Sequence, residues 1–512
     1  MTGMTEQSGE ERLAEVSVLG VGSRLASGPA AELVETAFAR ELTDQLALFR
    51  GMSLADVAHT VTLMQTGIIP HDAGTSLLAA LLALHEQPPN FVPVPQNGDL
   101  YTNREAWLAA RTPAIGWLGA GRARRESTTT GFRLTSRSLI LAFANALITT
   151  GNALIERAGE FRDALMADYT YLQPAQPTTF GHYLSGFIYP LLRDLERLQA
   201  LYARTNQSPA GCGSVNGSRI PQHRTCQAAL LGFSEAIPHA RDAMWQPDGP
   251  VEILSVIVMA LVNLDRLAED LQIFATSEFN LIELADGHSR ASVIMPQKKN
   301  PYALNYVRGA TNSLSGLLTS SVAASRTPSG QIDNRLFAYG DVPRALEIAT
   351  GVATLMSGVV SALRFNATLA ASRLLDGFAA ATDLAETITL ETGLDFRSAH
   401  RIVGRLVRDA VQAGHPMRDL TLADLDAAAQ TVLGHTLALS VHAFKQACDP
   451  AFAIAARQDI GGAAPASITS MLSVCQDALS RNRQWSQSER EHITAAEETL
   501  VLTAQKLARG ES

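Results

Sequence analysis

Residues 251–279, VEILSVIVMALVNLDRLAEDLQIFATSEF, decide the fold. Apolar side chains recur there at every third or fourth position and neither proline nor glycine interrupts, so the stretch reads as one α-helix. At 1.5 Å per residue it spans about 43 Å, roughly twice the mean globular helix. Helices of that length pack side by side as a bundle. Residues 128–159 and 303–324 have the same character, whereas alternating β-branched runs bounded by turn residues are scarce. The chain is therefore expected to be all-α, with a central bundle of long helices whose wide apolar faces serve both a subunit core and an oligomer interface.

Pro- and Gly-rich breaks at 87–97, 207–221 and 326–330 separate the helical blocks. We expect three domains: residues 1–126, a central bundle over 127–373 and a smaller C-terminal domain of shorter helices over 374–512. A chain of 512 residues with 46% hydrophobic and 18% charged residues has ordinary globular composition. Its net charge of -9, with no basic stripe, argues against a nucleic-acid partner. Cys212, Cys226, Cys448 and Cys475 show neither CxxC nor His pairing, so no zinc site or disulfide framework is expected. The polar start lacks a signal-peptide pattern, and residues 251–264 form too short an apolar run to cross a bilayer. A reduced, cytoplasmic protein away from membranes is the expectation.

Only four lysines occur, and two of them stand together in Ser289-Arg-Ala-Ser-Val-Ile-Met-Pro-Gln-Lys-Lys-Asn-Pro301. Asn300 followed by Pro301 reads as a capped helix start, which would put Lys298 and Lys299 at the positive end of the next helix. That placement costs about 0.3 to 1 kcal/mol per charge unless an anion sits nearby, so the pair points to a mouth for a carboxylate or phosphate. Two more segments are polar inside a helical chain. One joins Asn103 to Gly119-Ala-Gly-Arg-Ala-Arg-Arg-Glu-Ser-Thr-Thr-Thr130, where clustered arginines precede a helix; the other is Asp168-Tyr-Thr-Tyr-Leu-Gln-Pro-Ala-Gln-Pro177, which alone would be a capping segment.

These three segments together resemble the fumarase/aspartase superfamily, and most closely argininosuccinate lyase. The lysine segment is similar to the signature Gly-Ser-Ser-x-Met-Pro-x-Lys-x-Asn-Pro, with Ala291 replacing the Gly and Val293 the second Ser. Further similar stretches are Ala58-His59, Asp99 to Glu105, Gly121 to Arg124, Tyr169 to Pro177, Ala381 to Ala385 and Gly461 to Pro465. The resemblance implies a three-domain α fold, a homotetramer and active sites assembled from three subunits. It also implies a C–N lyase that releases fumarate by β-elimination, with a small-molecule carboxylate as substrate; no metal or organic cofactor is expected, because neither ligand spacing nor a phosphate-cradling Gly-rich loop is present.

Matched residue by residue, Ser292 is the base, and Lys298 with Asn300 holds the doubly charged aci-carboxylate that forms on proton removal. Thr170 and Tyr171 stand at catalytic positions. Asn103, Arg124, Arg125, Gln173 and Met295 are the remaining substrate-binding positions, and residues 287–297 are the expected lid. The departures fall at the substrate. Tyr171 stands where the relatives have His, and Asn305 where that His has its acidic partner, so both members of a charge pair change together. Gly119, Ala123 and Arg125 replace His, Ser and Asn, and the family's Tyr, Gln and Lys are missing from residues 327–339. With Arg125 present, an anionic or neutral amine suits the leaving group better than a guanidinium. Tyr171 and His288 are candidate proton donors. A cycloisomerase of polycarboxylates and a non-catalytic homologue, of the kind that serves as a lens protein, are the alternative readings.

Overall fold

A computed structural model describes residues 19–21 and 24–511. Long helices dominate it, as expected. In chain order the principal ones are α1 (Phe49–Gln65), α2 (His71–His85), α3 (Leu100–Ala109), α4 (Arg124–Glu160), α5 (Ile188–Thr205), α6 (Asp248–Phe274), α7 (Tyr302–Ala324) and α8 (Ala338–Ala362). After these come α9 (Ala381–Thr392), α10 (Phe396–Ala413), α11 (Leu422–Leu433) and α12 (Pro465–Ala508). Short strands pair as β1 (Leu165–Thr170) with β2 (Gln173–Thr179), β3 (Ile282–Glu283) with β6 (Arg364–Phe365), and β4 (Arg290–Ala291) with β5 (Lys299–Asn300), these three antiparallel, while Gln207–Ser208 pairs with Glu235–Ala236 in parallel.

Helices α4 and α8 run in the same direction through the core. Thr129 bonds Tyr339 through their hydroxyls at 2.9 Å, Thr150 Oγ1 donates to the Ala353 carbonyl at 2.8 Å, and Arg157 reaches the Leu363 carbonyl. Helix α4 crosses α1 where Gly51 meets Gly131. A Cβ at Gly51 would stand 2.6 Å from the Gly131 carbonyl oxygen, so only glycine permits that approach. Helix α4 and residues Asp333–Ala362 are apolar and long enough to cross a membrane, but 61% and 44% of those apolar windows are buried inside the protein. That is how core helices of a bundle behave.

Two expectations need correction. The C-terminal part is not built of shorter helices alone, because α12 runs for 44 residues. Its Ile468, Leu472, Cys475 and Leu479 return to the large core, while α9 to α11 enclose a separate small core around Leu384, Ile402, Leu406 and Leu425. Nor does Asn300 cap a helix. The chain enters α7 through Pro301, and the Asn300 amide instead donates to the Arg290 carbonyl at 2.9 Å, tying the two ends of the lysine loop together.

Candidate active site

The three polar segments sit at two ends of the bundle. Arg124 and Arg125 begin α4, and the β1–β2 hairpin follows its far end. Thirty-seven residues of helix between them amount to about 54 Å. The hairpin shares its end with the lysine loop: Tyr169 packs on Phe274 and Phe279, each ring 5.7 Å away, where α6 finishes, and β3 before the loop pairs with β6 after α8. One copy of the chain thus carries Thr170, Gln173 and Ser292 at one end and the arginine segment at the other.

The hairpin was unforeseen. Thr170 pairs with Gln173, and the turn residues Tyr171 and Leu172 hold φ of 53° and 58°. Such backbone suits a two-residue hairpin turn but is unfavourable for bulky side chains, on the order of 1 kcal/mol or more each. The Tyr171 side chain stands 99% exposed at the tip. Pro174 and Pro177 leave β2 without those two backbone donors, as an edge strand tolerates.

In the lysine loop, β4 and β5 bring Ser292 back to Lys298, whose carbonyl accepts from the Ser292 amide at 3.4 Å. The Ser292 hydroxyl oxygen accepts from the Met295 amide at 3.0 Å. A donor on that oxygen favours its anionic form. The two lysines part company. Lys299 bridges Glu283 at 2.8 Å and Asp286 at 2.7 Å, which hold its ammonium above the usual lysine range. Lys298, the residue just before β5, is exposed and has no ion pair among the described residues, so it is the lysine available to an anion. Val293, Ile294 and Met295 form an exposed apolar tip. His288 packs its ring against α8, with Nε2 2.9 Å from where a Gly358 Cβ would stand.

At the other end, the arginine segment is built on a buried carboxylate. Asp56 of α1 accepts from Arg104 at 2.7 Å, from Ser127 Oγ at 2.8 Å and from Arg122. Burial works to raise this carboxyl, but Arg122 and Arg104 outweigh it and hold it below the usual range. His59, one turn along, is fully buried, and burial together with Arg122 holds it well below the ordinary imidazole value. Glu126 is buried by the loop after α5 and accepts from the Gly211 and Gly213 amides at 2.8 and 2.6 Å. Burial pushes its carboxyl up to about 7, against the pull of Arg122 and those two amides.

Arg124 lies 3.6 Å from Asp99, and Arg125 has no ion pair among the described residues. Asn103 is only 3% exposed: its oxygen accepts from the Val94 amide at 2.8 Å and its nitrogen donates to the Gly98 and Asp99 carbonyls, so its side chain braces the turn before α3. Sequence reasoning overlooked Asp56 and Glu126. The polar stripe Ser53, Asp56, Thr60 at helical spacing between the apolar residues of α1 was the signal for the first.

Paired polar segments on a bundle of long helices, with a serine and a free lysine on one loop, define a lyase of the fumarase/aspartase type. Residues 104–316 match the lyase family and residues 378–453 the argininosuccinate lyase C-terminal family. Argininosuccinate lyase of Methanoculleus marisnigri is 31% identical over 89% of this chain and 92% of its own length, and that of Kineococcus radiotolerans is 32% identical over 95% and 99%. Among solved structures, EDDS lyase in complex with formate superposes with a TM-score of 0.85 at 27% identity, covering 94% of this chain and 97% of that one. The 3-carboxy-cis,cis-muconate lactonizing enzyme of Pseudomonas putida shares the fold, with a TM-score of 0.66 at 21% identity over 84% and 94%. This chain belongs to the argininosuccinate lyase family. It is a carbon–nitrogen lyase, of the kind whose reaction releases fumarate.

Proposed function

We propose that the chain splits an N-substituted aspartate or related succinate-like acid by β-elimination, with Ser292 as the base and an amine other than arginine as the leaving group. The observation that carries this reading is the pairing of Ser292 with a free Lys298 on one loop. Removing the proton beside a carboxylate puts a second negative charge on that carboxylate, and a fixed cation beside the developing charge lowers the barrier. Each unit by which the serine pKa falls needs about 1.36 kcal/mol from its surroundings. The Met295 amide and Lys298 supply part of this, and closing residues 287–297 over the substrate supplies more by excluding water.

The substrate preference rests on the altered positions. Tyr171 stands bare at the hairpin tip, Asn305 is exposed on α7, and Arg125 adds an unpaired cation at the arginine end. None of these suits a guanidinium, whereas an amine bearing a carboxylate meets Arg125 favourably. The separation of about 54 Å between the two ends of α4 supports sites completed by other copies, in a homotetramer with Arg124 and Arg125 of one chain facing Thr170, Gln173, Asn300 and Met295 of others.

The test is fumarate release from argininosuccinate and a panel of N-substituted aspartates, followed by the absorbance of the new double bond. Release from a panel member and loss of it in Ser292→Ala supports the reading. Release from argininosuccinate alone would return the chain to its relatives' substrate, and no release at all would end the lyase assignment of Ser292.

A further inference from the structure

We infer that the cleft between the first turns of α4, α6 and α8 is a binding site for a small zwitterion, an amino acid of about the size of glycine or alanine. The cleft holds about 150 Å³. A void of that size admits several waters, hence a ligand of a few heavy atoms. Its floor is Tyr339, bonded to Thr129, with the Arg335 guanidinium beside them. Arg335 is only 6% exposed, donates one bond to the Gln246 carbonyl at 3.1 Å and lies 5.3 Å from the Trp245 ring centre. Arg133 enters from α4 and donates to the Arg204 carbonyl at 2.9 Å. Among the described residues neither guanidinium has a carboxylate within ion-pair distance, since Arg204 takes Glu252 for itself.

The rim carries the opposite charge. Asp242 and Asp248 line the same cleft and are likewise without an ion pair among the described residues. A buried Arg335, a half-buried Arg133 and two exposed acids thus face one small space: burial lowers Arg133 below the ordinary arginine value while Asp248 and Asp242 pull it back up, and neither acid comes within ion-pair distance of either guanidinium. A buried guanidinium left without an anion is costly, and burial together with the nearby Arg125 already depresses Arg335 below the ordinary arginine value. A molecule with a carboxylate at one end and an ammonium at the other satisfies both sets at once: carboxylate inward to Arg335 and Arg133, ammonium outward to Asp242 and Asp248. A simple anion would leave the acids unanswered, and a simple amine the arginines.

Such a ligand has two possible sources, the amine released by the proposed lyase reaction or a free amino acid acting as an effector. In the first case the inference rests on the proposed reaction; in the second it stands alone. The experiment is isothermal titration of the full-length protein with glycine and L-alanine, against acetate and methylamine as half-ligands. The zwitterions are expected to bind at least tenfold more tightly than either half. Arg335→Gln should weaken glycine at least tenfold and Arg335→Lys restore part of it. Asp242→Asn, on the exposed rim where folding is not at stake, should weaken glycine severalfold while leaving acetate unchanged.

Glycine binding no tighter than acetate, or unchanged in Arg335→Gln and Asp242→Asn, would overturn the site. The fumarate assay, run with glycine present, separates the sources. A raised apparent KM at constant turnover makes the cleft the seat of the released amine, and a change in turnover at saturating substrate makes it an effector site. Fumarate release from the untreated protein reports on the lyase reading whichever way the titration falls.

Discussion

The two ends of α4 are built in opposite ways. At its start, Asp56 gathers Arg104, Arg122 and Ser127 beneath the surface, Glu126 is clamped by two backbone amides, and Asn103 has every side-chain group engaged. Beyond its far end, Tyr171, Val293 and Ile294 stand in solvent and the Lys298 ammonium has no ion pair among the described residues. The first end is prebuilt: beneath Arg124 and Arg125, the charges of Asp56, Arg104, Arg122 and Glu126 are locked by burial. The second holds its reactive groups with few bonds and keeps them available, which suits a loop that must accept and release a substrate.

The sharpest way to break this contrast is Asp56→Ala. It leaves Arg104 and Arg122 buried without their anion, and a loss of about 3 to 5 kcal/mol is expected in urea unfolding. Ser292→Ala, at the open end, should leave the unfolding midpoint within experimental scatter and lower fumarate release by about 10² to 10⁴. Equal destabilisation by the two would erase the distinction.

Glu126 tests the locked end by pH. Its folded value of about 7 lies above the ordinary 4.5, so the folded state holds the proton more tightly than the unfolded chain. The group therefore costs nothing below the unfolded value, and its cost grows as pH rises from about 4.5 to about 7, reaching about 3 kcal/mol. Glu126→Gln should gain on the wild type by that much across this window, and parallel stability curves would refute the assignment. The smallest effect discriminates the lysines. Lys298→Ala should lower kcat/KM for fumarate release about ten- to a hundredfold, whereas Lys299→Ala, which loses exposed ion pairs, should shift stability by about 1 kcal/mol or less and activity little. Reversal of that order would mean the strand presents the other lysine to substrate.

The long helices were legible because their apolar stripes are wide and uninterrupted. Helix α12 escaped because its apolar residues, Ile468, Leu472, Cys475 and Leu479, form a single narrow stripe amid Ser, Gln, Arg and Glu, and its second half is mostly polar. Helix α8 escaped because Gly340 and Pro343 lie inside it, and Pro343, past the first turn, lacks the amide that would bond the Tyr339 carbonyl, so sequence rules read a helix break there. The β1–β2 hairpin escaped for the opposite reason. Its turn uses Tyr171 and Leu172 in a backbone region that sequence rules reserve for Asn and Gly.

At the site, the lysine pair was visible but its division of labour was not, since that depends on Glu283 and Asp286 arriving at Lys299 from residues well before it. Likewise Asn103 is placed by its motif, while its full set of bonds to the turn before α3 depends on how residues 94–99 fold back.

Helix α4 is also a screw thread. Inserting one residue between Arg125 and Glu160 would move the hairpin by about 1.5 Å and swing it by about 100° around the axis, so a side chain aimed at a neighbour would face elsewhere. Deletions do the same in reverse, and changes of about seven or eleven residues, close to two or three whole turns, restore the phase. Descendants of this chain can exchange Tyr171 or Arg125 one at a time, but the length of the rod between them is available only in large quanta.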